Sequence, residues 1–167
     1  MLVGCAGFDD GRYGPRDRQF LLGLSGSYSY EDDDNGKSER LVTQSELGYF
    51  LSRAHEVGAN LGMLYTNSEI ATDDAYTILI GPYYNYNYYL APRTSVFAGP
   101  HVGLTVFDDG ATQDNEISYG VHVGVRHWLT PQLSFVVQPR YTHADFEREL
   151  GGEQDRLDVL FGFAFSF

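Results

Sequence analysis

The sequence alternates between apolar residues and small or polar residues along most of its length. Because successive side chains of a strand point to opposite faces, this period of two predicts an all-β chain whose strands each carry one apolar and one polar face. Periodicity of the helical kind is almost absent. The predicted strands are Gln19–Tyr30, Leu41–Arg53, Val57–Asn67, Tyr76–Leu90, Thr94–Phe107, Ile117–Leu129, Leu133–Phe146 and Leu157–Phe167.

The strands are long and their connections alternate in length. Strands of soluble proteins usually have about 5–6 residues, whereas a tilted strand that crosses a bilayer needs about 9–11, and each predicted strand is at least that long. Tight turns are predicted at Ala54–Glu56, Ala91–Arg93 and Thr130–Gln132, and long polar loops at Glu31–Glu39, Ser68–Ala75, Asp108–Glu116 and Glu147–Arg156. Short turns at one end and long loops at the other are typical of transmembrane barrels.

The polar face of the predicted strands is the better candidate for the interior of a barrel. It combines many glycines with ionisable residues, and an apolar core would not tolerate so many charged groups. An eight-stranded barrel is just wide enough inside for side chains, so glycines beside long polar residues would fit. Aromatic residues near the strand ends, Trp128 among them, predict two girdles at the membrane interfaces.

The chain ends in a strand with alternating phenylalanines, Phe161, Phe163, Phe165 and Phe167. Here the sequence resembles the small eight-stranded outer-membrane proteins of the OmpA transmembrane-domain, OmpX and OmpW kind. The resemblance covers roughly residues 18–167 and implies an antiparallel up-and-down eight-stranded transmembrane β-barrel. It further implies that Phe163, Phe165 and Phe167 form a signal read by the barrel-assembly machinery, and that the chain lies in the outer membrane of a Gram-negative bacterium.

Composition excludes several classes of function. The formal net charge is −12, so a nucleic-acid partner is not expected, because binding phosphates needs a basic surface. A single cysteine excludes an intrachain disulfide framework. Most acidic residues fall in the long loops, which we expect to be extracellular, with the termini periplasmic. Outer-membrane lipid and lipopolysaccharide, bridged by divalent cations, are the expected partners of a monomer.

The inward-facing ionisable residues are the candidate site. Measured from the short-turn ends, Glu46, Tyr83, His101, His122, Arg126, Arg140 and Asp158 are predicted to form one polar network near mid-barrel. The favoured interpretation is structural, since buried charges require partners. A narrow solute channel and a metal site of His101, His122 and Glu46 are the alternatives. We expect no metal and no cofactor.

Residues 1–17 are predicted to form a flexible N-terminal leader ahead of a barrel over 18–167. Leu2-Val3-Gly4-Cys5-Ala6 is similar to a bacterial lipobox, which makes Cys5 a candidate lipidation site with a tether behind it. Only four residues precede Cys5, fewer than the 7–15 apolar residues of a signal-peptide core. The alternative is an inert free thiol, and the gene start stays open.

The favoured function is a non-enzymatic integral envelope protein whose acidic loops serve surface interaction or membrane integrity. One rival is a lipid-modifying barrel enzyme that uses His143 and Asp145, although no serine lies in a G-x-S-x-G pattern. Another is a soluble lipocalin-like carrier, which would place Phe161, Phe163 and Phe165 inside the barrel.

Overall fold

The computed structural model is a single closed antiparallel barrel, and it describes residues 13–33, 36–68, 75–108, 113–146 and 152–167. The eight strands follow one another around the barrel in chain order. They are β1 (Phe20–Asp33), β2 (Gly36–Ser52), β3 (His55–Ser68), β4 (Ala75–Ala91), β5 (Thr94–Asp108), β6 (Gln113–Trp128), β7 (Leu133–Phe146) and β8 (Gly152–Ser166).

Closure depends on β1, which pairs with both β2 and β8. The β1–β8 ladder runs from Leu21↔Ser166 to Gly26↔Phe161, and the backbones of Phe20 and Phe167 exchange hydrogen bonds of 3.0 Å at its end. Closing a sheet in this way removes its edges, so the strand backbones find their partners inside the barrel wall. The predicted up-and-down eight-stranded barrel is confirmed.

Several strands extend beyond their predicted bounds. β2 begins at Gly36 rather than Leu41, and β8 begins at Gly152 rather than Leu157. The added residues are polar, so they gave no alternating apolar signal, but backbone pairing does not depend on side-chain polarity. At the short-turn end only residues 53–54, 92–93 and 129–132 connect the strands.

The apolar face of the barrel points outward. Leu24, Val121 and Leu157 are among many apolar side chains that are at least half exposed, and the phenylalanine stripe of β8 lies outside, with Phe163 54% exposed. A soluble carrier would bury these groups, so the lipocalin-like alternative is wrong. Within the described ranges, no helix has the length and apolar character needed to span a membrane.

Trp128 corrects the predicted girdle of aromatic residues. Its side chain is fully buried inside the barrel, where it packs with Leu21, Phe50 and Phe97 near the short-turn end. Trp128 takes an inward position because alternation along β6 turns Val123, Val125 and His127 outward. Val136 and Ala164 complete this cluster, which we call the apolar floor.

Residues 13–18 lie across the short-turn end of the barrel. Tyr13 packs against the apolar floor and Pro15 is buried. The Arg18 amide donates a 2.7 Å hydrogen bond to the Phe50 carbonyl, and the Arg53 amide donates to Asp17 Oδ1 at 2.8 Å. The predicted leader is therefore described only in this last part, and Cys5 lies outside the described residues.

Candidate functional site: the barrel lumen

All seven residues predicted for the lumen are buried inside the barrel. Arg126, Gln138 and Asn85 are among the most completely buried polar side chains, and Glu46, His101, His122, Arg140 and Asp158 are all at most 9% exposed. The structure divides these residues among three clusters at different heights instead of the one polar layer that was predicted. The difference arises because the inward positions of neighbouring strands are staggered in a tilted barrel.

The lower cluster lies directly above the apolar floor and is centred on Glu56. Tyr83 Oη donates a 2.7 Å hydrogen bond to Glu56 Oε1, while Arg126 Nη1 contacts Glu56 Oε2 at 3.4 Å and Asn87 Oδ1 at 3.3 Å. The Arg126 guanidinium also lies 4.9 Å from the centre of the Phe97 ring. Glu56 is therefore neutralised by one cation and bound by one hydroxyl group.

Glu56 is a lumen residue that the sequence analysis missed. It was assigned to the short turn Ala54–Glu56, but β3 begins at His55 and turns the Glu56 side chain into the barrel. Its spacing could have revealed this position. Glu56 is an even number of positions from Asn60, a residue of the polar face, and residues at even spacing on a strand share a face.

The middle cluster connects Glu46 to His101, and the ring of His122 lies beside that of His101. Gln138 Nε2 donates to Glu46 Oε1 at 3.4 Å, and Gln44 bridges Glu46 and Arg140 through short hydrogen bonds. Arg140 Nε donates to His101 Nε2 at 3.2 Å. Because an arginine side chain can only donate, His101 Nε2 is the acceptor in this contact, and the Thr142 hydroxyl lies 3.1 Å from the same nitrogen.

The two histidines lie side by side without converging on a common ligand position. Their ring centres are 5.7 Å apart, and His122 Nε2 is hydrogen-bonded to Asn85 Oδ1. Glu46 and both Nε2 atoms already have partners in the lumen. Among the residues that the structure describes, no group of three His, Cys, Asp or Glu side chains is placed to hold a metal ion.

The upper cluster is an ion-pair triad near the long-connection end. Asp158 Oδ1 lies 2.6 Å from Arg40 Nη2, and Asp158 Oδ2 lies 2.7 Å from Arg156 Nε. Asp158 and Arg140 are opposite each other in the β7–β8 register, but the ion pairs of Asp158 are with Arg40 and Arg156. Neither arginine was predicted to face the lumen, because Arg40 precedes the predicted strand Leu41–Arg53 and Arg156 was assigned to the predicted loop Glu147–Arg156.

The lumen is thus a filled polar interior closed at one end by apolar side chains. Glu56 is paired with Arg126, Asp158 with Arg40 and Arg156, and Glu46 is connected to Arg140 through Gln44. Charges buried at this depth are stable only when each is paired and hydrogen-bonded. The arrangement supplies cohesion between strands that are far apart in sequence.

Comparison with known proteins agrees with this architecture. The chain is 14% identical to neisserial surface protein A, with a TM-score of 0.64 over 89% of this chain and 97% of that one. OprG from Pseudomonas aeruginosa is 12% identical, with a TM-score of 0.58 over 94% and 98% of the two chains. A major outer membrane protein from Thermus thermophilus is 13% identical, with a TM-score of 0.53 over 89% and 98%.

These likenesses show a shared fold, and no curated protein sequence matches the chain. The family assignment comes from a separate comparison, in which residues 16–167 match the model of the outer membrane protein beta-barrel domain. That match includes all eight strands and the end of the segment that crosses the short-turn end of the barrel. The chain therefore belongs to the outer membrane protein beta-barrel domain family.

Proposed function

We propose that this protein resides in the outer membrane of a Gram-negative bacterium and catalyses no reaction, and that its acidic connections act at the cell surface in surface interaction or envelope integrity. The observation that carries the proposal is the contrast between the two faces of the wall. The outward face is apolar and exposed around the barrel, while the ionisable side chains of the inward face form hydrogen bonds and ion pairs with other inward groups. Such a lumen serves stability and leaves the connections as the functional surface.

The proposed orientation places the long connections outside the cell and both termini in the periplasm. Short turns face the periplasm in barrels of this kind, and residues 53–54, 92–93 and 129–132 are at the same end as residue 167. Acidic residues such as Asp32, Asp33 and Asp108 belong to the opposite end. Carboxylates there would bind divalent cations that bridge to lipopolysaccharide, because such cations prefer oxygen ligands.

The arrangement around His143 argues against the enzyme alternative. His143 Nδ1 is paired with Asp155 Oδ1 at 2.8 Å, and the Tyr141 hydroxyl donates its proton to the same oxygen at 2.6 Å. A nucleophile activated by a histidine must lie within hydrogen-bond reach of that histidine and give it the proton. Here the Tyr141 hydroxyl donates its hydrogen bond to the carboxylate of Asp155. Asp145, the other residue of the hypothesis, has no described side chain.

The apolar floor argues against the channel alternative. Leu21, Phe50 and Trp128 are fully buried, and Phe97 is 1% exposed. These side chains fill the cross-section at the short-turn end, and the Glu56–Arg126 pair lies directly above them. Passage of a hydrated ion would have to displace both layers.

The assembly of the barrel is proposed to depend on its last strand. Phe163, Phe165 and Phe167 alternate on the outer face of β8, and Phe167 stacks on Phe20 with ring centres 6.0 Å apart. This strand closes the barrel by pairing with β1, so it is a suitable contact for the barrel-assembly machinery. The protein is proposed to work as a monomer.

A test in cells examines both the orientation of the barrel and the role of its acidic connections. An epitope inserted into residues 109–112 should be accessible to antibody on intact cells, whereas an epitope before residue 13 should require permeabilised cells. A deletion strain is then complemented with either the unchanged protein or a variant in which asparagine replaces Asp32, Asp33, Asp108 and Asp109. The strain that carries the variant should be the more sensitive to detergent. Equal sensitivity, or a surface-accessible N-terminus, would contradict the proposal.

A second test addresses catalysis. The purified, folded protein and its His143→Ala variant are incubated with lipid A or phospholipid, and products are followed by mass spectrometry. We expect no turnover from either protein. Turnover by the unchanged protein that is lost on substitution of His143 would establish the enzyme alternative.

A further inference from the structure

A small cavity lies inside the barrel, lined by residues of both the middle and the upper cluster. Its volume is about 10 Å³, close to the space that one water-sized sphere requires. Arg140, Arg156 and Asp158 form its charged wall, and apolar side chains such as Leu79 and Leu160 form much of the rest. The cavity is therefore large enough for a single small occupant, and the charge around it determines which kind.

Arg140 is a buried guanidinium that forms no ion pair with any residue that the structure describes. It is 3% exposed, and its Nε and Nη1 atoms donate to His101 Nε2 and Gln44 Oε1. Glu46 is connected to it only through the Gln44 amide. The third nitrogen, Nη2, is buried and has no hydrogen-bond partner in the described part of the chain. Because an unpaired charge is costly at this depth, Arg140 requires a negative partner.

Asp158 cannot be that partner, although it is opposite Arg140 in the β7–β8 ladder. Its Oδ1 atom is paired with Arg40 at 2.6 Å and its Oδ2 atom with Arg156 at 2.7 Å. The wall of the cavity thus carries two guanidinium groups and one carboxylate, and that carboxylate is shared with a third arginine. The surroundings of the cavity are positively charged.

Solvent reaches the upper cluster from the long-connection end of the barrel. The side chains of Arg40 and Arg156 are 34% and 16% exposed, whereas the apolar floor fills the opposite end. An ion that comes from the long-connection end meets the cavity without passing the Glu56–Arg126 pair.

We propose that this cavity binds one halide ion, chloride in ordinary saline surroundings, as the counter-ion of Arg140. Arg140 Nη2 donates a hydrogen bond to the ion, and Arg156 and Thr77 line the same space. The small volume excludes phosphate and organic anions, while the positive wall favours an anion over a water molecule. The bound ion completes the pairing of charges in the lumen and stabilises the folded barrel.

The first test compares the stability of the folded full chain in two sodium salts of equal ionic strength. Urea unfolding is followed in uncharged detergent with either chloride or gluconate, whose anion is too large for the cavity. At about 100 mM salt, chloride should raise the ratio of folded to unfolded protein about tenfold, as a site with a Kd of about 10 mM would. Equal stability in the two salts would overturn the proposal.

Two variants distinguish the cavity from a general effect of salt. Arg140→Gln removes the guanidinium and should abolish the difference between chloride and gluconate, whereas Arg53→Gln, which removes an exposed guanidinium, should retain it. Gly62→Val should also abolish the difference with Arg140 in place, because Gly62 lines the cavity and its Cβ position makes only ordinary contacts. If the folded variants respond to chloride as the unchanged protein does, the ion does not bind here.

The second test locates the ion and requires only the unchanged protein, so it decides the matter even if a variant does not fold. Crystals are soaked in sodium bromide, and diffraction is measured at the bromine absorption edge. We expect an anomalous peak in the cavity beside Arg140. The absence of a peak there would show that water occupies the cavity and would overturn the proposal. Because the site is inside the barrel, either failure leaves the proposed role of the acidic connections unaffected.

Discussion

At the scale of single residues, the lumen depends on charges that have no access to water. Glu56 and Arg126 are 0% and 1% exposed, and they join β3 to β6 across the barrel. Removing one partner of a buried ion pair leaves the other charge uncompensated. The cost therefore arises from the unpaired charge that remains as much as from the attraction that is removed.

Arg126→Met should lower the free energy of unfolding by about 3–5 kcal/mol, measured by denaturant titration in detergent micelles. The matched control is Arg53→Met, which removes an exposed guanidinium lying 3.9 Å above the Tyr89 ring and should cost about 1 kcal/mol or less. Adding Glu56→Gln to Arg126→Met should recover much of the loss. Equal effects of the two arginine substitutions would show that the buried pair is not essential.

Inward glycines differ in how closely the neighbouring strand approaches them. A Cβ atom at Gly99 would collide with the backbone carbonyl of Tyr84, which cannot move without disturbing the ladder. At Gly62 the nearest atom, Leu79 Cβ, would be 3.8 Å away, an ordinary contact. The two glycines look alike in sequence, and only the strand packing distinguishes them.

Gly99→Ala should therefore lower stability by about 1–3 kcal/mol, whereas Gly62→Ala should be neutral or stabilise by up to about 1 kcal/mol, because it restricts the unfolded chain. Both are measured as shifts in the midpoint of unfolding in the same detergent. If the Gly99→Ala protein were as stable as the Gly62→Ala protein, the backbones of β4 and β5 could move apart without loss of stability, which would contradict the prediction.

At the scale of elements, β8 shows which features of a strand its side-chain alternation predicts. The alternation of Phe161, Phe163 and Phe165 with Leu160, Gly162 and Ala164 predicted the faces correctly, since the phenylalanines are outside and the other three are buried. The start of the strand was misplaced because residues 152–156 are polar. The alternation of side chains predicts well which face each residue of a strand occupies. It predicts the length of the strand poorly, because backbone hydrogen bonding continues beyond the apolar segment.

Phe163→Arg should cost about 2–4 kcal/mol, because a charge on the lipid face is most unfavourable at the bilayer midplane. Phe167→Arg, at the end of the same stripe, should cost about 0–1 kcal/mol. Reversible unfolding in phospholipid vesicles provides the measurement. Equal costs would place the two residues at the same depth and contradict the proposed membrane position of β8.

At the scale of the whole molecule, the barrel is closed in two senses. The β1–β8 ladder closes the wall, and the apolar floor, with residues 13–18 across it, closes the short-turn end. Leu21, Phe50, Phe97 and Trp128 pack there, each fully or almost fully buried. The short-turn end of the barrel is therefore filled by packed side chains.

In planar bilayers the folded protein should therefore show no steady conductance. Insertion is verified separately by the heat-modifiable mobility of protein recovered from the membrane, so that a silent recording cannot result from missing protein. Stepwise, sustained current from folded protein would show that the floor and the Glu56–Arg126 pair open together, and would restore the channel alternative.

The sequence by itself determined the strand number, the facing of most residues and the class of fold, because a side-chain period of two is a local property of the backbone. It also indicated the seven buried lumen residues. The inward positions of Trp128 and Glu56 follow from the same alternation. The sequence did not determine which lumen residues meet or how Arg40 and Arg156 pair with Asp158. Those outcomes depend on strand stagger and closure, which bring together residues far apart in the chain, and so only the tertiary structure decided them.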